Sequence, residues 1–203
     1  LLPKDRPLVL LDWGCGEAHA ASFWSKHGIL VFLYDPTPRL DAYIKKRFRE
    51  ADMIKVLELK DVKGLSSNSL DAVLIYSVLQ YIPKEDIEET LALLHRLLKS
   101  GGMLILGDIV PPSNSLYSDI LDVLSVGWRH GLRLFTHVVK GLVLTAFSDY
   151  RTFRDRNGFS LYSDEEMQKI ASKAGFSLRK ARKNIGLSNY RTTYMLIKEG
   201  LVK

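Results

Sequence analysis

An aspartate two residues ahead of a glycine pair, with a second aspartate about twenty residues farther on, marks where this chain could hold a nucleotide-like ligand. The residues are Asp12, Gly14, Gly16 and Asp35. Two glycines let a backbone turn tightly and approach a ligand where a Cβ would collide. The later acid stands where a nucleotide-binding βαβ unit keeps its ribose-binding carboxylate. Asp12 narrows the choice of ligand. A carboxylate at that point is unfavourable beside a pyrophosphate and suits a cationic amino acid moiety. A purely structural βα turn is the competing reading, because many such turns use glycine for geometry alone.

Strands and helices must carry these residues to one place. Leu8-Val9-Leu10-Leu11 is an apolar run without alternation, the pattern of a central parallel strand buried on both faces. A helix is expected from Ala18 to Lys26, its first-turn N–H groups free to face a polar ligand, with His27-Gly28 as its stop. Gly28 to Tyr34 reads as the second strand, closed by Asp35, Pro36 and Pro38. A charged helix over 39–49 then leads to a third strand, Met53 to Leu57. Ser66-Ser67-Asn68-Ser69 is a turn before a fourth strand, Leu70 to Tyr76. Pro83 opens a helix with Ile87, Leu91, Leu94 and Leu98 on one face, and His95 lies at its boundary or solvent side. Ser100-Gly101-Gly102 is expected to end that helix, and Met103 to Leu106 to form the fifth strand, finishing in Gly107-Asp108. Ser163 with Glu166 reads as a capping box, Gly175 as the helix stop, and Phe176–Lys183 and Thr192–Ile197 as the last two strands. Ligands of such open sheets lie outside the carboxyl ends of the strands, which would gather Gly14, Asp35, Tyr76 and Asp108 around one cleft.

Composition sets wider bounds. With 203 residues, 46% of them hydrophobic, the chain suits one domain with a full core. The single cysteine, Cys15, excludes an internal disulfide framework and agrees with a reducing compartment; with no basic neighbour it reads as a small residue packed in a turn. A net charge of +6 draws anions, whether nucleic acid, phospholipid or a phosphorylated substrate. Neither a membrane-length apolar run nor a signal-peptide pattern is present, so a cytoplasmic location is expected. The sequence starts at Leu1 rather than methionine, compatible with a piece of a longer product.

Leu11-Asp12-Trp13-Gly14-Cys15-Gly16 resembles the first motif of the class I, Rossmann-like S-adenosylmethionine-dependent methyltransferases, and Leu70 to Ile82 resembles their fourth. The resemblance spans nearly the whole chain and implies an α/β fold in three layers. It would have a sheet of about seven strands, mostly parallel with an antiparallel last strand, and helices on both faces. It also implies S-adenosylmethionine as cofactor and S-adenosylhomocysteine as product. Asp12 would serve the methionine amino group, and the turn Trp13-Gly14-Cys15-Gly16 would pass beneath the nucleoside. Asp35, followed by Pro36, would accept both ribose hydroxyls. Leu59 and Lys60 would give backbone contacts to the adenine, and Asp61 is either the adenine reader or a turn residue. Tyr76 or Ser77 would lie beside the methionine half, with Gln80 and Tyr81 bordering the acceptor pocket.

Residues 113–155 break the strand–helix alternation and read as a helical lid over the acceptor, inserted after the fifth strand within a single domain spanning 1–203. Arg129, Arg133, His137 and Lys140 form a basic stripe there, either a solvated face or one touching anionic lipid at the membrane periphery. Tyr81, His130, His137 and Asp149 are the candidates for a general base, each with a structural alternative. No metal-ligand spacing is found. The segment after the fourth strand lacks the Asn- or Asp-Pro-Pro-aromatic motif of nucleic-acid amino-methyltransferases, which argues against nucleic acid. A small-molecule, lipid-like or saccharide-like acceptor is expected, methylated on oxygen or nitrogen rather than carbon. Two alternatives stay open. An NAD(P)-dependent oxidoreductase would share the βαβ unit, but that reading leaves Asp12 unexplained and the chain is expected to lack a Tyr-x-x-x-Lys proton relay. A non-catalytic cofactor-binding regulatory subunit is the other.

Overall fold

The computed structural model describes residues 7–112, 160–186, 188 and 190–200. The expected lid at 113–155, with His130, His137 and Asp149, lies outside them. Seven strands form one sheet: β1 (Leu8–Trp13), β2 (Ile29–Tyr34), β3 (Ile54–Val56), β4 (Leu70–Tyr76), β5 (Leu98–Ile109), β6 (Phe176–Lys180) and β7 (Thr192–Lys198). Their order is β3-β2-β1-β4-β5-β7-β6. β1 to β5 pair in parallel, and β7 runs antiparallel to both β5 and β6. This is the expected Rossmann-like arrangement, with the sequence of strands reversing direction across the sheet between β1 and β4.

The helices lie in two layers. Val31, Leu33 and Ile54 of the sheet pack with Ala21 of α1 (Ala21–Lys26) and Ile44 of α2 (Pro38–Arg47). The opposite face, with Leu11, Val73, Ile75, Leu104 and Leu106, is covered by α3 (Leu59–Gly64), α4 (Ile87–Leu97) and α5 (Asp164–Lys173). α4 buries Ile87, Leu91, Leu94 and Leu97, one face of a helix at 3.6-residue period. Ser163 and Glu166 form the capping box as read: the Glu166 N–H donates to Ser163 Oγ (3.1 Å) and the Ser163 N–H to Glu166 Oε2 (2.8 Å).

Local physics moves several expected boundaries. α1 begins at Ala21, not Ala18, because Ala18 sits at φ +51° in the left-handed region and breaks the helix. α4 stops at Leu97, and β5 starts at Leu98 rather than Met103. Leu98 pairs with Leu70, a bulge intervenes, and Gly101 at φ +76° lets the strand resume opposite Ala72. Ser100-Gly101-Gly102 therefore belongs to an irregular strand, not to a helix terminus. β6 ends at Lys180 rather than Lys183. His95 is a packing residue: its ring meets Phe176 edge-on at 4.8 Å, close against Gly175.

Candidate functional site

The site is built where β1 and β2 end side by side. Their register pairs Trp13 with Tyr34, so the glycine turn leaves β1 directly beside the Tyr34-Asp35 peptide. Tyr34 O accepts the N–H groups of Gly14 (2.7 Å) and Cys15 (3.1 Å). Asp35 Oδ2 accepts the N–H of Gly16 (2.9 Å), and its Oδ1 accepts the N–H of Thr37 (2.9 Å). The turn needs left-handed backbone at Gly14 (φ +76°) and Gly16 (φ +55°). A Cβ at Gly14 would lie 2.6 Å from a Val78 methyl, whereas one at Gly16 would meet nothing within 4 Å. Gly14 is thus closed in by protein and Gly16 faces open space.

All three N–H groups of the turn are consumed by β2 and its aspartate. The Ala18 N–H likewise donates to Cys15 O (2.9 Å). The expectation of free first-turn N–H groups is therefore corrected at Ala18, and the glycine turn itself has none to offer a phosphate at Gly14, Cys15 or Gly16. Its charge argues the same way. Asp12 is 7% exposed and Asp35 5%. Burial first, and the neighbouring Asp35 second, push the Asp12 carboxyl up to about 7. Among the described residues no hydrogen-bond donor meets the Asp12 carboxylate, a costly state for a buried acid that a bound cation would relieve. Burial, reinforced by Asp12 and Asp35, drives the Cys15 thiol far above its ordinary range. That disfavours a thiolate nucleophile.

The remaining candidates divide between rim and core. Trp13 is buried and its ring packs on Tyr34 at 4.6 Å, so its side chain is scaffold rather than ligand surface. Pro36 is exposed and redirects the chain after Asp35. Leu59 lies 39% exposed at the first turn of α3, and the exposed Lys60 pairs with Glu58 (3.0 Å). Asp61 Oδ2 accepts the Glu58 N–H (2.9 Å) in a capping box at the start of α3.

At the end of β4, Tyr76 is 40% exposed on the rim. Burial, with Asp108 nearby, raises its phenol. Ser77 takes φ +56°, and its Oγ donates to Asp108 Oδ2 (2.5 Å). Gln80, expected at the acceptor pocket, has a buried side chain. It is 5% exposed, its Nε2 donates to Ser77 O (2.8 Å), and its Oε1 is buried without a partner. Tyr81, half-buried, closes the short 3-10 turn Leu79–Tyr81.

Three residues that sequence reasoning missed complete this corner: Asn184, Arg191 and Thr193. Arg191 Nη1 donates to Asp108 Oδ2 (2.6 Å), and Asn184 Nδ2 donates to Asp108 Oδ1 (3.0 Å). Asn184 Oδ1 in turn accepts from Thr193 Oγ1 (2.8 Å). They come from the β6–β7 connection and the start of β7, and no local motif announces them. The expected lack of a Tyr-x-x-x-Lys pattern is corrected by Tyr194 to Lys198, but Lys198 lies at the end of the sheet where β5 begins, away from the glycine turn, bonded to His95 O and Leu98 O (2.8 Å each). Among the described residues no His/Cys/Asp/Glu group could hold a metal ion, and no helix is long and apolar enough to cross a membrane.

Residues 11–106 match the family model described as a methyltransferase domain. No curated protein matches the chain in sequence. Among solved structures, the CurJ carbon methyltransferase superposes with a TM-score of 0.62 at 19% identity, over 98% of this chain and 50% of that one. The magnesium protoporphyrin IX methyltransferase of Synechocystis PCC 6803, with bound S-adenosylhomocysteine, gives 0.59 at 17% identity over 96% of this chain and 75% of its own. A Burkholderia thailandensis 1,6-didemethyltoxoflavin N1-methyltransferase gives 0.60 at 15%, over 96% and 72%. This chain spans about half the length of the carbon methyltransferase. With residues 11–106 matched by the methyltransferase-domain model and its sheet ordered β3-β2-β1-β4-β5-β7-β6, the chain has the Rossmann-like fold of the class I methyltransferases.

Proposed function

We propose that the chain transfers a methyl group from S-adenosylmethionine to a small-molecule, lipid-like or saccharide-like acceptor, on oxygen or nitrogen. One observation carries this reading: a buried carboxylate, Asp12, lacks a donor among the described residues and stands beside a turn whose N–H groups are already spent. Such a cradle repels a pyrophosphate and favours a ligand that is cationic at that end. When bound, the cofactor supplies an electrophilic methyl on a sulfonium.

The protein's part is alignment. Asp12, ionised, receives the amino group. Each Asp35 oxygen carries two lone pairs, so the carboxylate can take ribose hydroxyls while still holding Gly16 and Thr37. Leu59 and Lys60 flank the adenine with backbone atoms, and Tyr76 and Ser77 adjoin the methionine half. Positioning an acceptor about 3 Å from the methyl removes several kcal/mol of barrier. A base is needed only where a hydroxyl or amine must lose its proton, and Tyr81, His130, His137 and Asp149 are the candidates. The +6 charge favours an anionic acceptor or contact with an anionic membrane surface, in a cytoplasmic setting. Isothermal calorimetry tests the reading. Micromolar-range binding of S-adenosylhomocysteine with none of NADH supports it, and the reverse pattern overturns it. Mass-spectrometric turnover against acceptor panels separates an enzyme from a binding subunit.

A further inference from the structure

We infer that Asp108 and Arg191 are positioning residues for the cofactor's amino acid half, acting through Ser77; this rests on the methyl-transfer reading above. Two residues other than glycine hold left-handed backbone at the ends of adjacent strands, Ser77 at φ +56° just after β4 and Asp108 at φ +65°, the penultimate residue of β5. Such conformations persist where the surroundings over-determine them, and they concentrate at functional sites. Here the surroundings are explicit. The Ser77 N–H donates to Gly107 O (3.0 Å), its Oγ donates to Asp108 Oδ2 (2.5 Å), and Arg191 Nη1 meets the same carboxylate oxygen (2.6 Å). Asn184 occupies the other oxygen and also accepts the Asp108 N–H (3.2 Å). Asp108 is 7% exposed, so this is a buried charge matched by a cation and two neutral donors.

The consequence passes directly to the glycine turn. Ser77 is followed by Val78, whose methyls stand where a Cβ on Gly14 would be, at 2.6 and 2.8 Å. The left-handed Ser77 aims the chain so that Val78 seats on Gly14. The network thus ties the β6–β7 connection, where Asn184 and Arg191 lie, to the floor of the cradle beside Asp12. If Arg191 is removed, Asp108 loses its counter-charge, Ser77 loses a fixed acceptor, and Val78 is no longer held against the turn. Asp35 and the ribose side, anchored separately through Gly16 and Thr37, keep their bonds.

A ligand pair distinguishes positioning from simple structural support. S-adenosylhomocysteine carries the amino acid half and 5′-methylthioadenosine lacks it. Arg191→Gln, Arg191→Lys, Asp108→Asn and Ser77→Ala are compared with the parent by calorimetry, with circular dichroism to establish folding. The expected result is a loss of about tenfold or more in S-adenosylhomocysteine affinity for Arg191→Gln and Ser77→Ala, partial rescue in Arg191→Lys, and methylthioadenosine affinity kept within about twofold. Folded variants that bind both ligands as the parent does, or lose both equally, overturn the inference while leaving the methyl-transfer reading intact. A parent chain that binds neither ligand removes that reading, and this inference with it. Should Asp108→Asn fail to fold, Ser77→Ala and Arg191→Lys decide the matter, since neither leaves a buried charge without a partner.

Discussion

Substituting Gly14 and Gly16 separately by alanine should damage the molecule in two different ways, although the two glycines are one residue apart. Both sit in the left-handed region, where an L side chain costs about 1–2 kcal/mol. At Gly16 that is the whole expected cost to the free protein, because the new Cβ meets nothing within 4 Å. At Gly14 the Cβ falls 2.6, 2.8 and 3.2 Å from three Val78 atoms. Overpacking of that kind adds about 1–3 kcal/mol, for a total of roughly 2–5 kcal/mol. Against a domain stability of about 5–15 kcal/mol, the loss is plain in a urea melt. The cycle with Val78→Ala isolates the clash, because shortening Val78 removes the two closest atoms. The double variant should recover about 1–3 kcal/mol relative to the sum of the single changes. Gly16→Ala should instead spare most of the stability and weaken S-adenosylhomocysteine binding, since its Cβ occupies space left for the ligand. Equal destabilisation by the two alanines, or a cycle with no coupling to Val78, would refute the division of labour between a glycine closed in by protein and one facing the ligand.

Further outcomes follow from the charges and caps. Because the folded Asp12 carboxyl lies at about 7 against an ordinary 3.8, its ionisation opposes folding. Its contribution is most favourable below 3.8 and is lost as pH rises through about 7, so Asp12→Asn should gain stability over the parent across that window in pH-dependent melts. The same ionisation creates the partner for a ligand ammonium. S-adenosylhomocysteine affinity should therefore climb as pH passes through about 7 and stay flat in Asp12→Asn. Burial, then Lys198, holds the His95 imidazole below its ordinary 6.5, so the parent should lose stability as pH falls below that value, and His95→Gln should lose less over the same range. Ser163→Ala removes the α5 cap and should cost about 1 kcal/mol by thermal or denaturant melting, with cofactor affinity unchanged.

What the sequence disclosed was local or periodic. The apolar run before Gly14, the acid ending the second strand and the Ser163–Glu166 box all depend on residues within one element or one turn, so their types suffice to read them. Boundaries were harder where backbone geometry overruled residue type. Ala18 favours helix by propensity yet takes a left-handed φ in the turn, and Leu98 continues a helical stripe but is captured by pairing with Leu70. Trp13 illustrates a third case: its place in the motif suggests ligand contact, while strand alternation turns the indole into the core. The Asp108 network was invisible for another reason. Its members lie 31, 76 and 83 positions from Asp108, and only tertiary pairing of β5 with β4 on one side and β7 on the other brings them together.

That pairing also sets a demand on biosynthesis. β7 lies between β5 and β6, so Leu104 and Leu106, paired on one side with β4, gain their partners on the other side from Leu196 and Tyr194, about ninety positions later in the chain. A nascent polypeptide leaving the ribosome with five strands complete would carry an open, apolar sheet margin ready to recruit another chain. The closing strand is thus as much a guard against self-association during synthesis as a part of the finished sheet.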